Sequence, residues 1–226
     1  MIETVLFSPF FGLFLTCIAW CAGLWVQKTT GMILCNPLLI ATALILAVLL
    51  VFRIPYAAYA EGGELMTMML GPVTAVLALN IYNQRKLLGQ YFFPVVVGCL
   101  AGTLTSVVSV LLLCRLLALD ASFTAALLPK SVTTAIAVAI SENRGGIQGI
   151  TVAAVLVAGV EGAIFAPLFA KFFRITNPVA EGVAIGACSH ALGTSKAMEI
   201  GPLQGAMSSI SLCLCGIMTS VLVMFL

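Results

Sequence analysis

Apolar runs of membrane length follow one another along almost the whole chain, parted only by short polar breaks. They cover Leu6 to Val26, Ile33 to Phe52, Glu64 to Tyr82, Tyr91 to Leu119, Phe123 to Ile140, Ile147 to Phe173, Val179 to Ala197 and Leu203 to Leu226. Crossing the hydrocarbon core takes about 20 apolar residues, and every backbone polar group there must be satisfied within the protein. The expected fold is therefore an all-α integral membrane protein of about eight hydrophobic segments. A mean hydropathy of +1.20 and only 8% charged residues agree, because soluble domains carry roughly 25%. The breaks, such as Gln27 to Thr30, Arg53 to Gly63 and Asn83 to Leu87, are too short to hold a soluble domain. One polytopic membrane domain over 1–226 is expected, opening with an N-terminal helix over 1–30. That helix reads as retained, since the first charge is Glu3 and no basic stretch precedes the apolar run.

Composition excludes several classes. A net charge of +2, with the basic residues spread over the breaks, makes no nucleic-acid surface. The eight cysteines lie almost all inside apolar runs and form no CxxC pair. Cys17 and Cys21 are four apart on a helix face, but no histidine or second pair completes a zinc site. They read as small packing residues.

Three runs are interrupted by helix-breaking or polar residues near their middle. They contain Leu70-Gly71-Pro72-Val73-Thr74, Pro129-Lys130-Ser131-Val132-Thr133-Thr134, and Ser189-His190-Ala191-Leu192-Gly193-Thr194-Ser195-Lys196. A lysine at mid-membrane costs roughly 2.5–3.5 kcal/mol on insertion scales, and a proline there removes a helix hydrogen bond. Such elements persist only where they are buried in protein or line a watery cavity. The first two also resemble each other. Val73 to Arg85 and Val132 to Arg144 match at Val73/Val132, Thr74/Thr133, Ala78/Ala137, Ile81/Ile140 and Arg85/Arg144. Broken helices at corresponding places of two repeats point to a transporter binding site, because each break presents free N–H groups and a positive dipole end to an anion. Charge does not fix the topology. With eight crossings, Lys28, Arg85, Lys86 and Arg144 lie on one side and Arg53, Arg115, Lys171 and Arg174 on the other. Re-entrant segments, an inverted repeat and a dual orientation all remain open.

The candidate substrate residues are Lys130, Ser131, Thr133 and Thr134, with Ser189, His190, Gly193 and Thr194, and more peripherally Asn36 and Thr74. Lysine supplies a point charge for a carboxylate; hydroxyls and freed amides supply neutral donors. The plainer alternative is that Lys130 snorkels to an interface and the threonines bond back to their own helix. His190, the only histidine, and Glu161, inside the sixth run, are the candidate proton-coupling groups. A satisfied buried imidazole, and an ion pair of Glu161 with Lys130 or Lys196, are the structural alternatives. Asn36 can equally cap a helix that starts at Pro37. No nucleophile–base pair or metal cluster is visible, so neither an enzyme nor a cofactor is expected.

Asn36-Pro37-Leu38-Leu39, Leu70-Gly71-Pro72, Leu128-Pro129-Lys130-Ser131-Val132-Thr133-Thr134 and Ser189-His190-Ala191-Leu192-Gly193-Thr194 occur in that order. Together they resemble the LrgB/CidB family of bacterial membrane proteins, over about residues 31–226. The resemblance implies two accounts of function. One is a holin-like or antiholin-like modulator of murein hydrolase export and autolysis, acting with a small LrgA/CidA-type membrane partner. The other is a carrier of small monocarboxylates of the glycolate, glycerate and pyruvate type. It also implies a multi-pass protein of the bacterial cytoplasmic membrane. Isolated polar clusters on broken helices suit occluded binding of a small solute better than a continuous polar pore, so the carrier is the expected activity, and a homo-oligomer is expected.

Overall fold

The computed structural model describes residues 7–31, 37–69, 72, 75, 76, 79 and 82–226. Its described residues are helical, without strands. The helices are α1 (Pro9–Thr30), α2 (Pro37–Val51), α3 (Tyr56–Met68), α4 (Arg85–Gln90), α5 (Phe92–Leu116), α6 (Ala121–Leu127), α7 (Thr134–Asn143), α8 (Gln148–Phe172), α9 (Pro178–Ile200) and α10 (Pro202–Met224). Among them α1, α5, α8 and α10 are long and apolar enough to cross a membrane. The chain falls into two compact units, residues 1–74 and 75–226.

In the first unit α1 packs on both α2 and α3. The expected polar break over Arg53 to Gly63 is instead mostly helix, since α3 starts at Tyr56. The reason is a close-packed small-residue face. Ala58 is fully buried, Gly62 lies against the backbone of Gly12, and Tyr59 bonds Thr16 on α1 at 2.8 Å. Packing against α1 outweighs the helix-breaking cost of two glycines.

In the second unit α9 packs on α10 and α8, and α5 packs on both α9 and α10. The short helix α4 occupies part of the expected break at Asn83 to Leu87. The core joins Val95 and Cys99 of α5, Val183 and Ala187 of α9, and Met207 and Ile210 of α10. The outer faces are apolar, unlike those of a water-soluble helix, and small and hydroxyl residues join the buried ones. On α5 the buried stripe is Val95, Cys99, Thr103, Val107, Val110 and Cys114, while Leu100, Leu104, Val108 and Leu112 face outwards. On α10 Gly205, Ser208, Ser211, Cys215 and Thr219 are buried, while Ile217, Val221 and Met224 are exposed. Small and hydroxyl residues inside and large apolar ones outside are what helix packing in lipid selects.

Helices α5 and α8 end alike. Ala118 and Arg174 adopt left-handed φ of 50° and 54°. The amides of Leu119 and Ile175 then bond back to Cys114 and Ala170 at 2.9 and 2.8 Å, the long-range bond of a Schellman cap. Helix α9 begins with Asn177, which accepts from the amides of Val179 and Ala180, followed by Pro178 in the first turn.

Candidate functional site

Two interruptions shape the second unit. The first runs from Leu128 to Thr133 and separates α6 from α7. Pro129 and Val132 are almost wholly buried, so the break is enclosed by protein rather than placed at a membrane surface. Ser131 is buried and its hydroxyl bonds that of Ser106 on α5 at 2.9 Å. Thr133 stands at the N-cap of α7 without making a side-chain cap bond, and its buried hydroxyl has no protein partner. Thr134, in contrast, is exposed on the first turn of α7. The half-buried Lys130 donates to Ser131 Oγ at 3.2 Å.

The second interruption is a single residue. His190 has φ 42° and ψ −140° in the middle of α9, a conformation close to glycine-only territory. Its surroundings over-determine it. The imidazole is 3% exposed and its Nε2 sits 2.7 Å from the carbonyl of Val155 on α8. Its own carbonyl accepts from Thr194 Oγ1 at 2.8 Å, and the same hydroxyl meets Ser208 Oγ on α10 at 2.8 Å. Glycines on α8 make room for the kink: a Cβ at Gly159 would strike the imidazole, and one at Gly162 would overlap Ser189 Oγ. Gly193, one turn on, likewise abuts the Ser189 side chain. Ser189 is fully buried and its hydroxyl has no protein partner.

These elements border a cleft of about 600 Å³ between α8 and α9, lined at one end by Lys130, Glu161, Cys188 and Ser189. Phe165 and Phe169 form an apolar wall further along, and Glu181 also lines the cleft. The cleft brings together Lys130, Ser189 and Glu161 from the expected set. His190 and Thr194 are turned into helix contacts instead, with α8 and α10. Asn36 and Thr74, and with Thr74 six of the thirteen residues of 73–85, the segment proposed to repeat 132–144, lie outside the described residues. Lys196 pairs with Glu199 at 2.7 Å, whereas Lys130 and Glu161 line the same cleft without forming an ion pair.

Chemically, the Lys130 end offers a half-buried ammonium with one internal hydrogen bond and an exposed carboxylate, next to an apolar wall, with the unpartnered Ser189 hydroxyl enclosed behind Gly162. The N-terminus of α7 follows three residues after Lys130. This set can hold a small anion through charge and neutral donors together. The sequence reading did not single out Ser106, Ser208 or Glu181 for the site. The two serines sit inside membrane-length runs, where averaging over the run hides a single hydroxyl. On α10, Ser208, Ser211, Cys215 and Thr219 share one helical face, and that spacing was the available signal.

The profile of the LrgB-like family matches residues 16–226. The chain is 37% identical to the uncharacterized protein YxaC of Bacillus subtilis (strain 168) over 206 residues, 91% of this chain and 90% of the relative. It is 36% identical to the antiholin-like protein LrgB of the same strain over 213 residues, 94% of this chain and 92% of the relative. The antiholin-like protein LrgB of Bacillus mycoides (strain KBAB4) is 34% identical over 217 residues, 96% of this chain and 94% of that protein. No solved structure matches the chain.

Proposed function

The chain belongs to the LrgB-like family of membrane proteins, and we propose on that premise that it is an antiholin-like modulator of murein hydrolase export and autolysis. The observation that carries this reading is the similarity to proteins named antiholin-like over more than nine-tenths of both chains. In this reading it is a multi-pass protein of the bacterial cytoplasmic membrane, assembles as a homo-oligomer, and acts with a small LrgA/CidA-type membrane protein. The test measures murein hydrolase release and lysis rate in cells that express the chain with and without such a partner. A partner-dependent change in lysis is expected. Unchanged lysis in both backgrounds overturns the reading.

A specific observation favours a second reading, a carrier of small monocarboxylates of the glycolate, glycerate and pyruvate type. Lys130 and the buried hydroxyl of Ser189, from two interrupted helices, line one cleft. Interrupted segments around 128–133 and 190 would reach mid-membrane, with an inverted repeat relating 73–85 to 132–144. Glu161 beside Lys130 is the proton-coupling candidate of this carrier. Labelled pyruvate, glycolate and glycerate uptake into proteoliposomes tests this. Saturable uptake that Lys130→Ala abolishes and Glu161→Gln weakens supports the carrier. Dye release with no saturable uptake overturns it in favour of the first reading.

A further inference from the structure

Glu181 lies in the same cleft as Lys130 but at a distance from it. On α9 the residues Glu181, Ala184, Ile185, Cys188 and Ser189 all line the cleft, and this i, i+3, i+4, i+7, i+8 spacing places them on one helix face. Residues 181 to 189 precede the kink, so eight helical steps, about 12 Å along the axis, separate Glu181 from Ser189. The loop end of the helix pair lies beside Glu181, because Phe173 and Ile175, at the turn from α8 to α9, line the cleft as well. Gln204 Nε2 of α10 donates to Glu181 Oε2 at 3.2 Å, which restrains the carboxylate without neutralising it. Among the described residues the only ion pair is Lys196 with Glu199, so no cation offsets Glu181.

The cleft is thus polar at its two ends and apolar between. The fully buried Ser189 hydroxyl has no protein partner and packs behind Gly162 of the cleft lining, an unsatisfied polar group at this end. A carboxylate held at Lys130 would extend its remaining chain past Ile185 and Phe165 towards Glu181. Discrimination against a ligand is achieved by placing a like charge where that ligand carries one.

We propose that Glu181 is a specificity-determining residue of this cleft, which rejects carboxylates with a negative charge at their far end and favours those whose far end is neutral or cationic. The proposal rests on the carrier reading above and adds to it the class of substrate excluded.

The test is calorimetric titration of the purified full-length chain with pyruvate and with three ligands of one length: adipate, 6-hydroxyhexanoate and 6-aminohexanoate. These carry a negative, a neutral and a positive far end. The expected order of affinity is amino, hydroxy, then adipate, with about tenfold or more between the extremes. Glu181→Gln compresses that order and Glu181→Lys reverses it; the glutamine variant alone decides the matter should the lysine variant fail to fold. An order unchanged in the variants overturns the role of Glu181 while leaving the carrier standing. Binding of pyruvate but of none of the three longer acids likewise overturns it. Absence of binding by all four acids brings down the carrier reading itself, and this inference with it.

Discussion

Ser189 and Gly162 show how closely side chains decide the site. The Ser189 hydroxyl is buried without a protein partner, so it contributes nothing to holding the fold that a methyl group would not. Ser189→Ala is therefore expected to leave thermal stability in detergent unchanged or raise it by up to about 1 kcal/mol, while weakening ligand binding. A fall in melting temperature would point to a structural role instead. Gly162→Ala should behave oppositely. A Cβ there overlaps Ser189 Oγ, and overpacking costs about 1–3 kcal/mol. Gly149→Ala, where nothing lies within 4 Å of the added carbon, is the control. Lys130 and Ser189 were both legible in the sequence, because each belongs to a cluster of polar and helix-breaking residues within an apolar run. That His190 bonds a carbonyl of α8 instead of facing the cleft was not legible, since one backbone kink sets the direction of its ring.

At the level of elements, the apolar runs located α1, α5, α8 and α10 well, because length and hydropathy are read directly from side-chain chemistry. They failed at α3, whose early start depends on α1 lying against Ala58 and Gly62. The capping conformation at the ends of α5 and α8 was also hidden. Ala118 and Arg174 hold left-handed conformations that usually call for glycine, so no glycine marked those stops. A non-glycine residue in that conformation costs roughly 1–2 kcal/mol. Ala118→Gly, on the C-terminal side of α5, is accordingly expected to stabilise the protein by about 1 kcal/mol, read as a higher melting temperature in detergent. No gain would mean that the cap is already relaxed around alanine.

Across the described helices, the apolar outer face is the physical signature of a bilayer environment. The outward row Leu100, Leu104, Val108 and Leu112 on α5 is expected to face lipid. Leu104→Lys should then lower membrane insertion of that segment by about 2.5–3.5 kcal/mol if it lies near mid-bilayer, measured by glycosylation mapping of the translocated fraction. An unaffected insertion efficiency would place Leu104 against protein or water. The same inside-out rule accounts for the site. In a lipid-facing protein the polar groups collect inward, so the buried hydroxyls of α5, α9 and α10 and the two interruptions share the interior of one unit.

Membrane-length hydropathy and the helical class followed from composition and order along the chain alone, because each depends on chemistry carried by neighbouring residues. Which polar groups meet did not. Lys130, Glu161, Ser189 and Glu181 lie far apart in sequence, or on different turns, and only the packing of α9 against α8 at Gly159 and Gly162 sets them around one cleft. The same packing turned His190 and Thr194 away into helix-to-helix bonds. Side-chain type is local, whereas side-chain direction at a broken helix is set by the neighbour that the break allows to approach.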